Sequence, residues 1–198
     1  MSASLKLGQT PSQTVGPYFA YGLTPAQYGY AYRSAYGPVL AEARTPGEPI
    51  VVTGRVLDGD GKPVDDAMIE IRHADAKGRY VDSPDQAEAA GFTGFGRCGT
   101  GTERDNRFRF ETIKPGGVAG QAPHIDVIVT MRGILSHAFT RMYFDDEAAA
   151  NARDEVLTSV PAERRATLIA RREDLPGRAT YHFDIRMQGP QETVFFDL

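Results

Sequence analysis

The chain has 198 residues, of which 41% are hydrophobic and 24% charged, and its formal net charge is -4. A chain of this size and apolar content can bury one core without disulfides or structural metals. A net negative charge without a concentrated Lys/Arg stripe argues against a nucleic-acid partner. The single cysteine, the lack of an apolar run of about 20 residues and the lack of a basic leader after Met1 predict a cytoplasmic protein.

Residues 1–47 are predicted to form an N-terminal arm that contacts another surface. Neither a period of 2 nor one of 3.6 residues is sustained there, and Pro and Gly are frequent. Tyrosines recur between Tyr18 and Tyr36 with few charges between them. Because amphipathic aromatic side chains are typical of interfaces, we expect this arm to be an interface segment. Residues 48–198 are expected to form the main domain.

Alternating apolar residues predict strands from residue 49 onward. Residues 50–56 alternate, residues 58–63 (DGDGKP) supply a turn, and residues 67–72 alternate again, which together predict a hairpin. Residues 83–101 have neither period and are expected to form a long loop. Further strands are predicted at 107–110, 125–131, 138–144 and 181–188.

Two short helical segments are predicted among the later strands. One follows Pro161 and runs through Arg172, with four arginines on its solvated face, and the other covers residues 145–154. Short strands, frequent turns and few helices are typical of a mainly β fold. We therefore predict an antiparallel β-sandwich with short helical insertions and an N-terminal arm.

The His-x-Asp pattern at His124 and Asp126 is one candidate metal site. Residues two apart on a strand share a face, and a third ligand such as His137 or His182 would complete a two-histidine, one-carboxylate site for ferrous iron. The alternative is that His124 is an ordinary hydrogen-bonded side chain, since such patterns arise easily by chance. Cys98 has no motif around it and is interpreted as a small buried side chain.

Paired acidic residues have a simpler interpretation than catalysis. Asp65-Asp66 and Asp145-Asp146 occur in turn-like or helix-start contexts. Carboxylates in such contexts cap backbone amides or favour the helix dipole. We therefore expect capping at both pairs.

An ordered series of short motifs covers the chain from about residue 8 to its end. Its motifs are TPSQTVGPY at 10–18, GRVLD at 54–58, ADAKGRY at 74–80, TIKPG at 112–116, APHI at 122–125, RMYFD at 141–145, YHFDI at 181–185 and ETVFFD at 192–197. This ordered series resembles the intradiol ring-cleavage dioxygenases.

The resemblance implies a non-haem Fe(III) site of two tyrosinates and two histidines, but this chain departs from that pattern. Tyr80 and His124 match the first tyrosine and the first histidine. Val118 stands where the second tyrosine belongs and Asp126 where the second histidine belongs, while Gln121 replaces a substrate-binding arginine. Valine offers no donor atom, so we expect these positions to be vestigial and the chain to hold no metal.

The resemblance further implies a hetero-oligomer, because the motifs are most similar to α chains whose homologous β chain carries the iron. Such a pair cleaves protocatechuate (3,4-dihydroxybenzoate) with O₂ to 3-carboxy-cis,cis-muconate. The α chain is expected to lend Thr14, Gly16, Pro17, Tyr18 and Arg132 to the substrate pocket, with no catalytic residue of its own. Two alternatives are a self-sufficient metalloenzyme built on His124 and Asp126, and a non-catalytic transthyretin-like scaffold module.

Overall fold

The computed structural model describes Gly8 and residues 11–197. The start of the predicted arm, including Thr10 of the first motif, therefore lies outside the described residues. Strands make up most of the regular structure: β1 Pro49–Leu57, β2 Met68–Arg72, β3 Phe95–Gly99, β4 Arg107–Ile113, β5 His124–Thr130, β6 Ala138–Phe144, β7 Ile169–Leu175, β8 Arg178–His182 and β9 Ile185–Arg186.

The helices are short and lie between strands or in the arm. The α-helices are α1 Phe19–Leu23, α2 Pro84–Ala90, α3 Ala148–Asn151 and α4 Glu155–Ser159. Single 3₁₀ turns occupy Pro25–Tyr28, Arg104–Asn106, Asp145–Glu147 and Arg165–Leu168. None of the helices in the described part of the chain combines the length and apolar character needed to cross a membrane.

The strands form one hydrogen-bonded path in the order β3-β2-β5-β6-β7-β8-β1-β4, and β9 adds to β1. Alternate residues of strands from both halves of this path point into one common core. That core includes Ile50 and Val52 of β1, Phe110 of β4, and Ile125 and Val127 of β5, all of them buried. The prediction of a mainly β, sandwich-like fold is therefore confirmed.

The prediction that the sheet is antiparallel is only partly right. The pairs β1–β4, β2–β3, β2–β5, β5–β6 and β7–β8 are antiparallel. The pairs β1–β8, β1–β9 and β6–β7 are parallel. Parallel neighbours need a long crossover connection, and the helical segment between β6 and β7 supplies one.

The predicted hairpin of β1 and β2 is wrong. The turn itself forms, since the Gly61 amide donates to the Asp58 carbonyl at 3.0 Å and the Val64 amide donates to the Val56 carbonyl at 2.8 Å. Beyond that turn the chain crosses to the other half of the sandwich, where β2 pairs with β3 and β5. The predicted turn is correct, because its residues determine it locally. The pairing of β2 is instead decided by which strands bury its apolar face in the core.

Two further sequence predictions need correction. The helix expected from Pro161 through Arg172 is limited to the 3₁₀ turn Arg165–Leu168, after which the chain extends as β7. The long loop expected over residues 83–101 contains α2 and the edge strand β3. The short helix expected within residues 145–154 is present as the 3₁₀ turn Asp145–Glu147 followed by α3, and the predicted strand at 138–144 coincides with β6.

The described part of the arm packs against the edge of the sandwich. The Gln27 side chain donates to the Gly99 carbonyl and accepts from the Gly99 amide, both at 2.8 Å. In this way it occupies the free hydrogen-bonding edge of β3. Leu40, further along the arm, is buried in the common core. The arm is thus anchored at Gln27 and Leu40, whereas the Tyr18 side chain is 77% exposed.

Candidate functional site

The vestigial ligand positions gather at the start of β5. His124 and Asp126 share a face of that strand, as the sequence predicts, and His124 Nε2 lies 3.9 Å from Asp126 Oδ1. The His124 ring is buried, and its Nδ1 donates to the Ala122 carbonyl at 2.7 Å. We call the group of Tyr80, Gln121, His124, Asp126 and Arg141 the ligand-motif end.

Asp126 is committed to an ion pair within the chain. The β5–β6 register places it opposite Arg141, whose Nε donates to Asp126 Oδ1 at 3.0 Å. Arg141 Nη1 donates to Gln121 Oε1 at 2.9 Å. Both Arg141 and Asp126 expose less than a fifth of their side chains. One guanidinium thus joins Asp126 and Gln121, the two positions that the motifs predict to match a histidine ligand and a substrate-binding arginine.

Tyr80 is in an environment that disfavours its ionised form. It follows a tight turn in which Gly78 has a φ of +76°, and a Cβ there would lie 2.0 Å from the Gly117 carbonyl oxygen. Burial and the nearby Asp126 carboxylate raise the pKa of the Tyr80 phenol. The Arg72 guanidinium lies 4.7 Å from the ring centroid. The neutral phenol is therefore favoured in this environment.

The donor set at this end does not fit the family's ferric iron. Val118 offers no donor atom, and Asp126 already has Arg141 as its counter-ion. Within the described residues, no three His, Cys, Asp or Glu side chains are grouped so as to hold a metal ion. His182, a suggested third ligand, is instead 2.7 Å from Glu173 Oε2. The self-sufficient metal site that the sequence left open is therefore not assembled.

A buried carboxylate behind the ligand-motif end holds it in place. Asp154 accepts from the Ala122 amide, from the Leu157 amide at the start of α4, and from the Tyr143 hydroxyl. The Asp154 side chain is fully buried. Through Ala122 it fixes the strand entry that carries His124. This network is absent from the sequence prediction, although Asp154 three residues before an apolar position is a recognisable capping signal.

Arg132 and Thr14 meet beyond the opposite end of β5. The Gly133 amide donates to Thr14 Oγ1 at 2.9 Å, across 119 residues of sequence. Arg132 Nε donates to Asp66 Oδ2. Asp66 therefore forms an ion pair, and the capping role expected for it is wrong. Asp66 precedes β2, whose antiparallel pairing with β5 brings it to Arg132.

Gly16, Pro17 and Tyr18 lead from Thr14 into α1. The Phe19 amide donates to the Gly16 carbonyl at 3.1 Å, which forms a tight turn before the helix. The ring centroids of Tyr18 and Tyr21 are 6.0 Å apart. We call the group of Thr14, Gly16, Pro17, Tyr18, Asp66 and Arg132 the arm end. It is exposed, whereas the ligand-motif end is largely internally paired.

The two ends are separated by the length of β5. Seven residues of strand span roughly 20 Å. The structure brings the expected substrate-pocket residues together in one place and the vestigial ligand positions together in another. It does not join the two sets within one chain.

The family model described as "Dioxygenase" matches residues 16–189 of the chain. The chain belongs to this dioxygenase family. The protocatechuate 3,4-dioxygenase alpha chain of Burkholderia cepacia is 60% identical over 194 residues, which cover 97% of this chain and 98% of the relative. The beta chain of the same organism is 39% identical over 161 residues, covering 74% of this chain and 67% of the relative.

A solved structure supports the same fold. An intradiol ring-cleavage dioxygenase from Tetranychus urticae superposes with a TM-score of 0.61 at 19% identity, covering 91% of this chain and 94% of that one. The resemblance to intradiol dioxygenases inferred from the motifs is confirmed.

Cys98 is not a reactive centre in this dioxygenase-family chain. Burial raises the pKa of its thiol to about 11, and only 2% of the residue is exposed. A thiol in that state is a poor nucleophile near neutral pH. This agrees with the interpretation of Cys98 as a packed side chain.

Proposed function

We propose that this chain is the α subunit of a protocatechuate 3,4-dioxygenase that acts in the cytoplasm with a homologous β subunit. The β subunit would carry the non-haem Fe(III), and the pair would cleave protocatechuate with O₂ to 3-carboxy-cis,cis-muconate. The 60% identity to an alpha chain over nearly the whole length supports the identity of the subunit. The 39% identity to a beta chain supports a homologous partner.

One geometric observation carries the division of labour between the subunits. The carboxylate at the position of the second histidine ligand is engaged by Arg141 within this chain. Iron binding through Asp126 would require breaking that pair, and Val118 supplies no second tyrosinate. A metal on the partner chain is consistent with both facts.

The arm end is the part of this chain that we propose contributes to the partner's pocket, with residues 1–47 as the contact segment. Protocatechuate carries a carboxylate near neutral pH, and the Arg132 guanidinium is a suitable counter-charge. Arg132 exposes 55% of its side chain, so it is accessible to a neighbouring chain and its ligand. The exposed Tyr18 ring would supply one wall of the shared pocket.

Protocatechuate-dependent O₂ uptake by this chain, by a homologous β chain and by the co-expressed pair tests the proposal. We expect full activity only from the pair. Turnover by this chain alone would contradict the proposal. Activity of the pair that is unchanged in both Tyr18→Ala and Arg132→Ala variants would instead favour the scaffold role.

A further inference from the structure

The register of β2 and β5 explains the Asp66–Arg132 ion pair at the arm end. Met68 pairs with Thr130 at the end of this antiparallel ladder. Asp66 and Arg132 each lie two residues beyond that pair, so they face each other past the strand ends. The Asp66 side chain is 21% exposed and the Arg132 side chain 55% exposed. The Asp66 carboxylate is thus more buried than the Arg132 guanidinium that it binds.

The hydrogen bond to Asp66 uses one particular edge of the Arg132 guanidinium. Nε donates to Asp66 Oδ2. The two Nη groups, which can donate in parallel to a second carboxylate, are not consumed by this bond. A planar guanidinium held through Nε has a defined direction for its Nη groups.

The backbone next to Arg132 is held as well. The Gly133 amide donates to Thr14 Oγ1, and Gly133 has a φ of +93°, a conformation that favours glycine. Arg132 is therefore held at its guanidinium by Asp66 and at its following peptide by Thr14. An exposed arginine with neither constraint would lose more rotamer freedom when it binds a ligand.

Resting on the proposed function, we infer that Asp66 is a positioning residue for Arg132. It orients the guanidinium so that its Nη groups can bind the carboxylate of an anionic catechol in the pocket shared with the partner chain. Asp66 does not touch the substrate in this arrangement.

Asp66 also places a negative charge near the substrate carboxylate, which works against binding. If Asp66 mainly orients Arg132, removing it should raise KM for protocatechuate. If it mainly repels the substrate carboxylate, removing it should lower KM. Repulsion between exposed charges is screened by water and salt, whereas the direction of the hydrogen bond is not. We expect orientation to dominate, so that Asp66→Ala raises KM for protocatechuate about two- to fivefold.

Steady-state kinetics of the co-expressed αβ pair provide the test. The variants are Asp66→Ala, Asp66→Asn, Arg132→Ala and the Asp66→Ala/Arg132→Ala double variant. Asp65→Asn is the matched control, because Asp65 is an exposed neighbouring acid outside this ion pair. Each variant is assayed with protocatechuate and with catechol, which lacks the carboxylate.

The positioning role predicts a specific pattern. Asp66→Ala should raise KM for protocatechuate but not for catechol, with kcat within about twofold. Asp66→Asn, which keeps an acceptor oxygen, should recover part of the effect. The KM of the double variant for protocatechuate should not exceed that of Arg132→Ala, because Asp66 acts only through Arg132.

Other outcomes overturn the inference in distinguishable ways. A lower KM in Asp66→Ala would show that Asp66 acts only as a repelling charge. A change in KM no larger than that of Asp65→Asn would show that Asp66 has no specific role. Equal effects on both substrates would indicate a general structural role. If Arg132→Ala leaves KM unchanged in an active pair, the proposed role of Arg132 falls together with this inference.

Discussion

The two ends of β5 carry similar kinds of side chain but use them differently. At the ligand-motif end, Asp126 is held by Arg141 and both are mostly buried. At the arm end, Arg132 is held by Asp66 but remains largely exposed. The first pair satisfies its charges inside the chain, whereas the second leaves a cation available to another molecule.

Under the proposed function, this difference would explain how an α chain could serve the reaction while its partner carries the iron. Where no metal is bound, buried polar groups need other partners, because unpaired buried charges are costly. Arg141 provides that neutralisation for Asp126. The arm end faces no such requirement, so its groups can remain accessible to a partner.

Removing the buried Asp154 carboxylate, which supports the ligand-motif end, should lower the free energy of unfolding by the largest amount. Asp154→Ala leaves two backbone amides and the Tyr143 hydroxyl without their acceptor. We expect the free energy of unfolding to fall by about 3–4 kcal/mol, measured by urea denaturation. Glu155→Gln, an exposed neighbour, is the control and should change it by less than about 0.5 kcal/mol. Equal effects of the two would show that Asp154 does not support this end.

Acid should also weaken the ligand-motif end. His73 is fully buried beside it, and burial lowers the pKa of its ring to about 4. The unfolded chain therefore binds the proton more readily, and stability falls as the pH drops from about 6.5 towards 4, by up to about 3 kcal/mol. The free energy of unfolding, measured by urea denaturation at several pH values in this range, should depend less steeply on pH for His73→Gln than for the parent. The exposed His137→Gln is the control, and an unchanged slope in His73→Gln would contradict the assignment.

Breaking the Asp126–Arg141 ion pair should lower the free energy of unfolding by a smaller amount. Arg141→Met leaves Asp126 without its counter-ion and should lower the free energy of unfolding by about 2 kcal/mol. The Arg141→Met/Asp126→Asn double variant should recover most of that loss, because the uncompensated charge is gone. Arg171→Met, an exposed arginine, is the control. No recovery in the double variant would show that lost packing, rather than charge, causes the effect.

At the arm end, substitution should change substrate binding rather than stability. Arg132→Ala should raise KM of the αβ pair for protocatechuate about tenfold with kcat within about twofold. Its thermal midpoint should not change. Arg132→Lys keeps the charge but loses the two-pronged hydrogen bonding, so an intermediate KM is expected. A fall in kcat at unchanged KM would contradict a role in binding the carboxylate.

Much of the fold could be predicted because its signals are local. Alternation placed β1, β5 and β6, and the turn at Asp58 was recognised from its residues. Strand pairing was not predictable locally, which is why the hairpin of β1 and β2 was wrong. β7 was mistaken for a helix because Leu168 and Ile169 suit a helical apolar face until the pairing with β8 is known.

For the candidate site too, short motifs could be recognised from the sequence, whereas contacts between residues far apart in the chain could not. The motifs alone predict that Tyr80, Val118, His124 and Asp126 stand at the ligand positions of the family, two of them altered. Arg141 was not recognised as the counter-ion of Asp126, because that depends on the β5–β6 register. Asp66 was interpreted as a cap for the same reason, since its partner lies 66 residues away.

The iron content of this chain alone and of the co-expressed αβ pair, measured together with visible ferric–tyrosinate absorption, tests the central claim most directly. The account predicts a colourless, iron-free chain and a coloured pair with one iron per αβ unit. Iron and colour in this chain alone, or two irons per unit, would contradict the claim that its ligand-motif end is closed by Arg141.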